Sequence, residues 1–181
     1  MVVPKSQISQ LNLATQKIIL YLNYTRYIAH IDNKFDSNDI EWERKRWTLK
    51  FLNCQNSVGG LYYNVYSDMH GDTAHFKKED TLEDPLNNQY LYSNHCQEDT
   101  VGDKSKHVML TKEYGVTKVE VSCNTTDTIG QISFAYDGKI YSQLGKNIKE
   151  ITNQCQIKLF NNENDFTTIA IEPKTGYIHK I

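Results

Sequence analysis

Several features that define whole classes of proteins are scarce or missing in this sequence of 181 residues. It contains only three prolines and nine glycines, which argues against disorder or a low-complexity linker. It has no apolar run long enough to cross a bilayer and no signal-peptide pattern. The net charge is −2, so the overall field does not favour nucleic acid or membrane lipid as a partner.

The motifs of the common enzyme classes are also missing. There is no Gly-x-Ser-x-Gly elbow, His-Glu-x-x-His motif, Walker loop or dinucleotide fingerprint. The only loose histidine cluster is formed by His70, Asp72 and His75, and residues of these types in a polar loop are usually solvated. We therefore predict no enzymatic activity and no catalytic residues, and the enzymatic alternative is a hydrolase whose site no motif reveals.

Four cysteines are present, and none forms a Cys-x-x-Cys pair, which argues against a structural zinc site. They are Cys54, Cys96, Cys123 and Cys155. An even number at wide spacing fits two disulfides in an oxidising compartment, with four free buried thiols as the alternative. Of the three possible connectivities we favour Cys54–Cys96 and Cys123–Cys155.

The longest pattern in the chain predicts an amphipathic helix over residues 6–31, with Ser6 as its N-cap and His30 in its last turn. A narrow stripe of this helix is polar and consists of Ser9, Asn12, Gln16, Asn23, Arg26 and His30. The rest of its circumference is a wide apolar arc. An arc this wide needs a cover, most simply a sheet laid against the helix.

Alternating apolar and polar residues after residue 46 predict strands joined in hairpins. The predicted strands cover residues 47–52, 61–67, 89–93, 107–111, 117–123, 131–136, 139–142, 155–160 and 167–172. Between two of them, Asp137-Gly138 predicts a two-residue type I′ turn. The expected fold is α+β, with one domain over residues 1–181 in which antiparallel sheet wraps a helical spine.

Three short segments are candidate binding sites. Residues 32–39 are similar to part of a calcium loop but lack its glycine and its closing glutamate, so we predict a solvated loop there. Residues 44–47 and 104–107 are the most basic elements, and acidic residues stand close to both. We expect solvated surface at these two elements, with weak, salt-sensitive DNA binding as the alternative.

Motifs near both ends of the chain resemble those of the type IV pilin-like pseudopilins. Val3-Pro4-Lys5 resembles the junction at which the membrane helix of that family continues into the spine of the head. Asp137-Gly138-Lys139 and the tail Glu172-Pro173-Lys174-Thr175-Gly176 resemble the closing hairpins of pseudopilin heads. Within the family, the resemblance is to minor pseudopilins of type II secretion and DNA-uptake systems.

The resemblance implies a non-enzymatic subunit whose partners are other pseudopilins and the secretion or uptake machinery. It also implies a methylated hydrophobic helix upstream that anchors the protein in the bacterial inner membrane, with the head in the periplasm. The abrupt beginning at Met1, Val2 and Val3 fits a chain from which such a segment has been removed. The alternative is a secreted, disulfide-stabilised module that binds a ligand or DNA.

A calcium site is the one cofactor that the resemblance raises. Residues 84–90 are similar to the calcium loop of major pseudopilins, but the aromatic residue and the glycine of that loop are both replaced. We therefore predict no bound metal, and the calcium candidates are Asp80, Glu83 and Asp84.

Overall fold

A computed structural model describes residues 7–55, 59–69, 77–93, 100–144 and 149–181. A helix of 25 residues, α1 (Gln7–Ile31), packs on two four-stranded antiparallel sheets. The predicted α+β class is therefore confirmed, and the helix has the predicted extent to within one residue. Its predicted N-cap, Ser6, lies outside the described residues. Within the described ranges, no helix has the length and apolar character needed to cross a membrane.

In the part of the chain that the structure describes, eight strands and one short α-helix follow α1. They are β1 (Trp47–Asn53), β2 (Leu61–Tyr66), α2 (Leu110–Tyr114), β3 (Lys118–Val121), β4 (Gly130–Phe134), β5 (Ile140–Tyr141), β6 (Cys155–Phe160), β7 (Phe166–Ile171) and β8 (Ile178–Lys180). The first sheet has the strand order β2-β1-β4-β5, and the second has the order β3-β6-β7-β8. The hairpins β1–β2 and β6–β7 occur where the sequence predicts them.

One face of α1 supplies the core shared by the two sheets. Its fully buried apolar side chains are Leu11, Ala14, Ile18, Tyr21, Leu22 and Ala29. Two buried threonines lie on the same face, and each donates its hydroxyl to the carbonyl four residues earlier: Thr15 to Leu11 at 2.8 Å and Thr25 to Tyr21 at 2.6 Å. These bonds satisfy the hydroxyls inside the core, where an unpaired hydroxyl would be costly.

The loop between β4 and β5 differs from the predicted two-residue turn. The N–H of Ala135 donates to the carbonyl of Lys139, and the N–H of Gly138 donates to the carbonyl of Ala135, so the loop has three residues. A type I′ turn needs positive φ at both central residues, whereas here only Gly138, at φ 88°, has it. This is the three-residue hairpin in which a glycine occupies the left-handed position.

Two further predictions about strands are wrong. Residues 107–111 are not a strand, because a 3₁₀ turn (Lys106–Val108) leads into α2, which ends at Gly115 in the left-handed conformation. The next strand, β3, pairs with the distant β6 rather than with its neighbour in sequence. Residues 89–93 make only isolated bridges through Tyr90.

Strand β8 follows Pro173 and was missed, because three residues carry no readable period.

The predicted disulfide between Cys123 and Cys155 is confirmed, with the two Cα atoms 5.2 Å apart. It ties the turn after β3 to the first residue of β6, and Cys155 is fully buried. A disulfide is consistent with a location outside the cytoplasm, since the cytosol keeps most thiols reduced. The other predicted pair stays a prediction, because Cys96 lies outside the described residues.

We expect the double substitution Cys123→Ser and Cys155→Ser to lower the free energy of unfolding by about 4 kcal/mol, because it removes a crosslink that restricts the unfolded chain. Urea denaturation of the variant and of the parent protein would measure the difference. An unchanged midpoint would contradict a stabilising role for this crosslink.

Candidate interaction surface

The outward face of α1 carries apolar side chains that neither sheet covers. Leu20, Tyr27 and Ile31 are 38 %, 58 % and 62 % exposed, and Leu13 and Tyr24 beside them are half-buried. The sequence predicts a wide apolar arc under a sheet, but the sheets cover only part of that arc. The exposed part is a candidate contact with another molecule, because grouped exposed apolar side chains often mark an interaction site.

The spacing of these residues is that of a coiled-coil contact. We call the set Leu13, Lys17, Leu20, Tyr24, Tyr27 and Ile31 the seam of α1. Successive members are four, three, four, three and four residues apart, which is the a/d pattern of a heptad repeat. Residues at this spacing present one narrow stripe to a partner helix. The heptad spacing is present in the sequence. The sequence alone does not single it out, because the seam is only part of a wider apolar arc.

The two hairpin motifs of the pseudopilin resemblance meet against α1. A side chain at Gly176, in the β7–β8 turn, would lie 3.3 Å from Cδ of Arg26 and 3.5 Å from the carbonyl of Gly138. Nδ1 of His30 hydrogen-bonds the carbonyl of Tyr136 in the β4–β5 loop at 2.8 Å. Two members of the predicted polar stripe, Arg26 and His30, therefore contact these loops.

Aromatic residues cluster beyond the C-terminal end of α1. Phe35 meets Trp42 edge to face, with 5.2 Å between ring centroids, and lies 6.5 Å from Tyr136. The guanidinium of Arg46 lies between Trp42 and Tyr141, at 5.1 and 3.9 Å from their ring centroids. Burial lowers the pKa of Arg46, and the neighbouring rings compensate part of the lost hydration.

The first basic element, residues 44–47, makes contacts within the chain. Lys45 pairs with Asp39 at 2.6 Å, and Nε1 of Trp47 donates to Asp32 at 2.8 Å. These contacts attach the element to the polar loop after α1. The charge of Lys45 is therefore paired within the chain, which weakens any attraction of this lysine for phosphate.

Two of the calcium candidates, Asp84 and Asp80, serve as hydrogen-bond acceptors within the fold. Oδ2 of Asp84 accepts from the hydroxyls of Tyr21, at 2.8 Å, and Ser105, at 2.6 Å. Its Oδ1 accepts from the N–H of Leu86 at 2.9 Å. Asp84 is fully buried, so three donors stabilise its carboxylate and fasten a long loop to α1.

The other two candidates do not join Asp84 in a ligand set. Oδ2 of Asp80 accepts from the N–H of Lys77 at 3.0 Å, and Glu83 is exposed. No three His, Cys, Asp or Glu side chains come together as a potential metal site within the described ranges. The predicted cluster of His70, Asp72 and His75 lies outside those ranges.

A second polar contact lies next to Asp84. Nδ1 of His107 and the hydroxyl of Tyr114 are 2.9 Å apart in a hydrogen bond, and the hydroxyl of Tyr63 donates to the carbonyl of His107 at 3.0 Å. Burial, with a smaller contribution from Lys17 of the seam, lowers the pKa of His107. Burial also raises the pKa of Tyr114 to about 12. Both groups are therefore held in their neutral forms near neutral pH.

A polar cleft of about 380 Å³ lies beside the disulfide. Ser142 and Ile151 are buried in its floor. Its rim carries one cation, Lys149, and one anion, Glu150, together with hydroxyl and amide side chains. The cleft has the size of a small-molecule site but not the apolar and aromatic lining that such sites usually have.

Comparison of the chain with protein-family models, with curated proteins and with solved structures finds no match. The fold is therefore described by its own geometry, and the assignment of a function rests on the surfaces described above.

We expect the unfolding free energy to fall as the pH is lowered through about 6.5, the ordinary pKa of histidine, because the unfolded chain binds a proton that folded His107 resists. This contribution is fully present above that pH. The His107→Asn variant should therefore lose less stability than the parent between about pH 7 and 5. Urea denaturation across this range provides the test, and parallel profiles would contradict it.

Proposed function

We propose that this chain is the head of a minor pseudopilin, a non-enzymatic subunit that assembles with other pseudopilins in a type II secretion or DNA-uptake system. In the complete protein, a hydrophobic helix upstream of α1 anchors it in the inner membrane, with the head in the periplasm. The seam of α1 carries this proposal, because three of its apolar side chains, Leu20, Tyr27 and Ile31, stay exposed along one side of the long helix.

The seam suits a helical partner. Its members lie along most of the length of α1, and a facing helix could place side chains between them. Leu20 and Tyr27 stand one heptad apart and are both exposed, so a partner helix would remove both from water. Lys17 at an a-type position favours a partner with an acidic or hydrogen-bonding group opposite it.

Two other observations support the proposal. The glycines of both resemblance motifs, Gly138 and Gly176, pack close to the last turns of α1, where the family's closing hairpins would brace the spine. The disulfide between Cys123 and Cys155 suits the periplasm, which is oxidising. The exposed seam favours a subunit of an assembly over an isolated binding module, because an isolated module has no need of an exposed helix contact.

We expect the double substitution Leu20→Glu and Tyr27→Glu to abolish assembly of the full-length protein, because it places two charges in the helix contact. Leu20 is 38 % and Tyr27 58 % exposed, so the variant should still fold, with a loss of about 1–2 kcal/mol in the free energy of unfolding. Crosslinking and co-purification with the other pseudopilins of the same organism would measure assembly. Protein export and DNA uptake, assayed in parallel, would show which process depends on the subunit.

Gln16→Glu is the matched control, since it adds a charge at an exposed position of α1 beside the seam. This variant should assemble normally. Normal assembly, export and uptake by the double variant, at normal abundance, would remove the support that the seam gives to the proposal.

The reading frame upstream of Val2 offers an independent test. We expect it to encode a prepilin-type leader followed by a hydrophobic helix continuous with α1. Sequencing the parent gene and the N-terminus of the processed protein would establish this. An ordinary cleaved signal peptide would instead favour the secreted binding module.

A further inference from the structure

The outer edge of β3 has the geometry for pairing with another strand. β3 pairs with β6 on one side, and no strand in the described part of the chain pairs with its other side. The N–H of Ser122 donates to the carbonyl of Gln156 at 2.9 Å, which fixes the phase of the β3–β6 ladder. In an antiparallel pair, alternate residues direct their backbone N–H and C=O to the same neighbouring strand. Ser122, Glu120 and Lys118 therefore face β6. The N–H and C=O of Val119 point to the open edge.

The side chains along this edge alternate between charge and core. Val119 and Val121 are buried on the inner face of the sheet. Lys118 and Glu120 stand on the outer face, with 62 % and 46 % of their side chains exposed, and form an ion pair at 2.5 Å. The edge therefore exposes backbone groups and two opposite charges, but no large apolar side chain.

We propose that β3 pairs with β3 of a second copy of this chain, antiparallel about a two-fold axis at Val119. The pairing joins the two second sheets into one continuous sheet of eight strands. The contact is isologous, so the same four-residue strand serves both copies. It lies on a sheet edge and not on the seam of α1, so it goes beyond the proposed function and does not depend on it.

Charge selects this register from the alternatives. The outward-facing backbone groups of the two β3 strands can pair when the two-fold axis lies at Lys118, at Val119 or at Glu120. An axis at Lys118 sets that lysine against its own copy, and an axis at Glu120 does the same for the glutamate. Only the axis at Val119 sets Lys118 opposite the second copy's Glu120, and it does so twice by symmetry.

The charges of the neighbouring strand extend the same pattern. Lys158 on β6 lies opposite Glu120 within the sheet. In the paired form, each Glu120 would then have Lys158 on one side and the second copy's Lys118 on the other. Positive and negative side chains therefore alternate where the two sheets meet. The water that Glu120 loses there is compensated by a lysine on each side.

Sedimentation equilibrium of the 181-residue chain, extended to about 1 mM because a short edge buries little area, would test the pairing. We expect a weak dimer that dissociates further as salt is added. Lys118→Glu or Glu120→Lys alone should raise the dimer dissociation constant about tenfold, because each places like charges opposite one another twice. The double exchange, Lys118→Glu with Glu120→Lys, should restore it.

Lys174→Glu is the control for net charge, since this exposed lysine lies in the turn between β7 and β8, next to the opposite edge of the same sheet. It should leave the dissociation constant unchanged. Amide exchange followed by NMR should show the N–H of Val119 protected only at dimer concentrations.

Three results would overturn the pairing. They are a monomer at every concentration, a dimer indifferent to the single exchanges, and a dimer that the double exchange fails to restore. A dimer that disappears instead in the Leu20→Glu, Tyr27→Glu variant would place the contact on the seam. The first three results do not bear on assembly with other pseudopilins, which is measured separately.

Discussion

The constraint on which this structure depends is that two sheets share one helix as their core. Among the described residues, neither four-stranded sheet has another element of comparable length to cover its apolar face, and α1 buries Leu11, Ile18 and Leu22 between them. Each fully buried aliphatic side chain of this kind contributes roughly 1.5–3 kcal/mol relative to exposure. The helix therefore cannot leave the domain without uncovering both sheets, which is the mechanical property expected of a spine.

A second constraint fixes the long segment between β2 and β3 to the same helix. The carboxylate of Asp84 is buried, and a buried carboxylate is tolerated only where donors replace the lost water. One of its donors is the hydroxyl of Tyr21, in the core face of α1. The same bond that satisfies the charge therefore also positions the loop against α1.

Features determined by local sequence were predictable, and features determined by distant contacts were not. The α1 boundaries and the β6–β7 hairpin follow from periodicity within each segment. The short helix α2 was missed, because five residues are too few for periodicity to distinguish a helix from a strand. Asp137-Gly138 is compatible with a two-residue or a three-residue hairpin loop, and the sequence does not distinguish them.

The candidate surfaces also combine features that local sequence determines with features that distant contacts determine. The heptad spacing of the seam is present in the sequence, but which part of a wide apolar arc remains uncovered depends on where the sheets lie. Asp84 was a calcium candidate because its neighbours resemble a calcium loop, yet a carboxylate in a loop can equally accept from Tyr21 and Ser105. Those hydroxyls lie far apart from Asp84 in sequence, so these hydrogen bonds could not be predicted from the loop alone.

The seam and the edge of β3 differ in what each can build. A contact that uses the same patch on both copies closes on itself and stops at a pair, whereas a contact between different patches can repeat without limit. The β3 contact is of the first kind, because its charges match only about a two-fold axis at Val119. A helix stripe along α1 has no such restriction, since its apolar residues fit any facing helix of suitable spacing. Growth of an assembly would therefore have to proceed through the helix, and the sheet edge could only join subunits in twos.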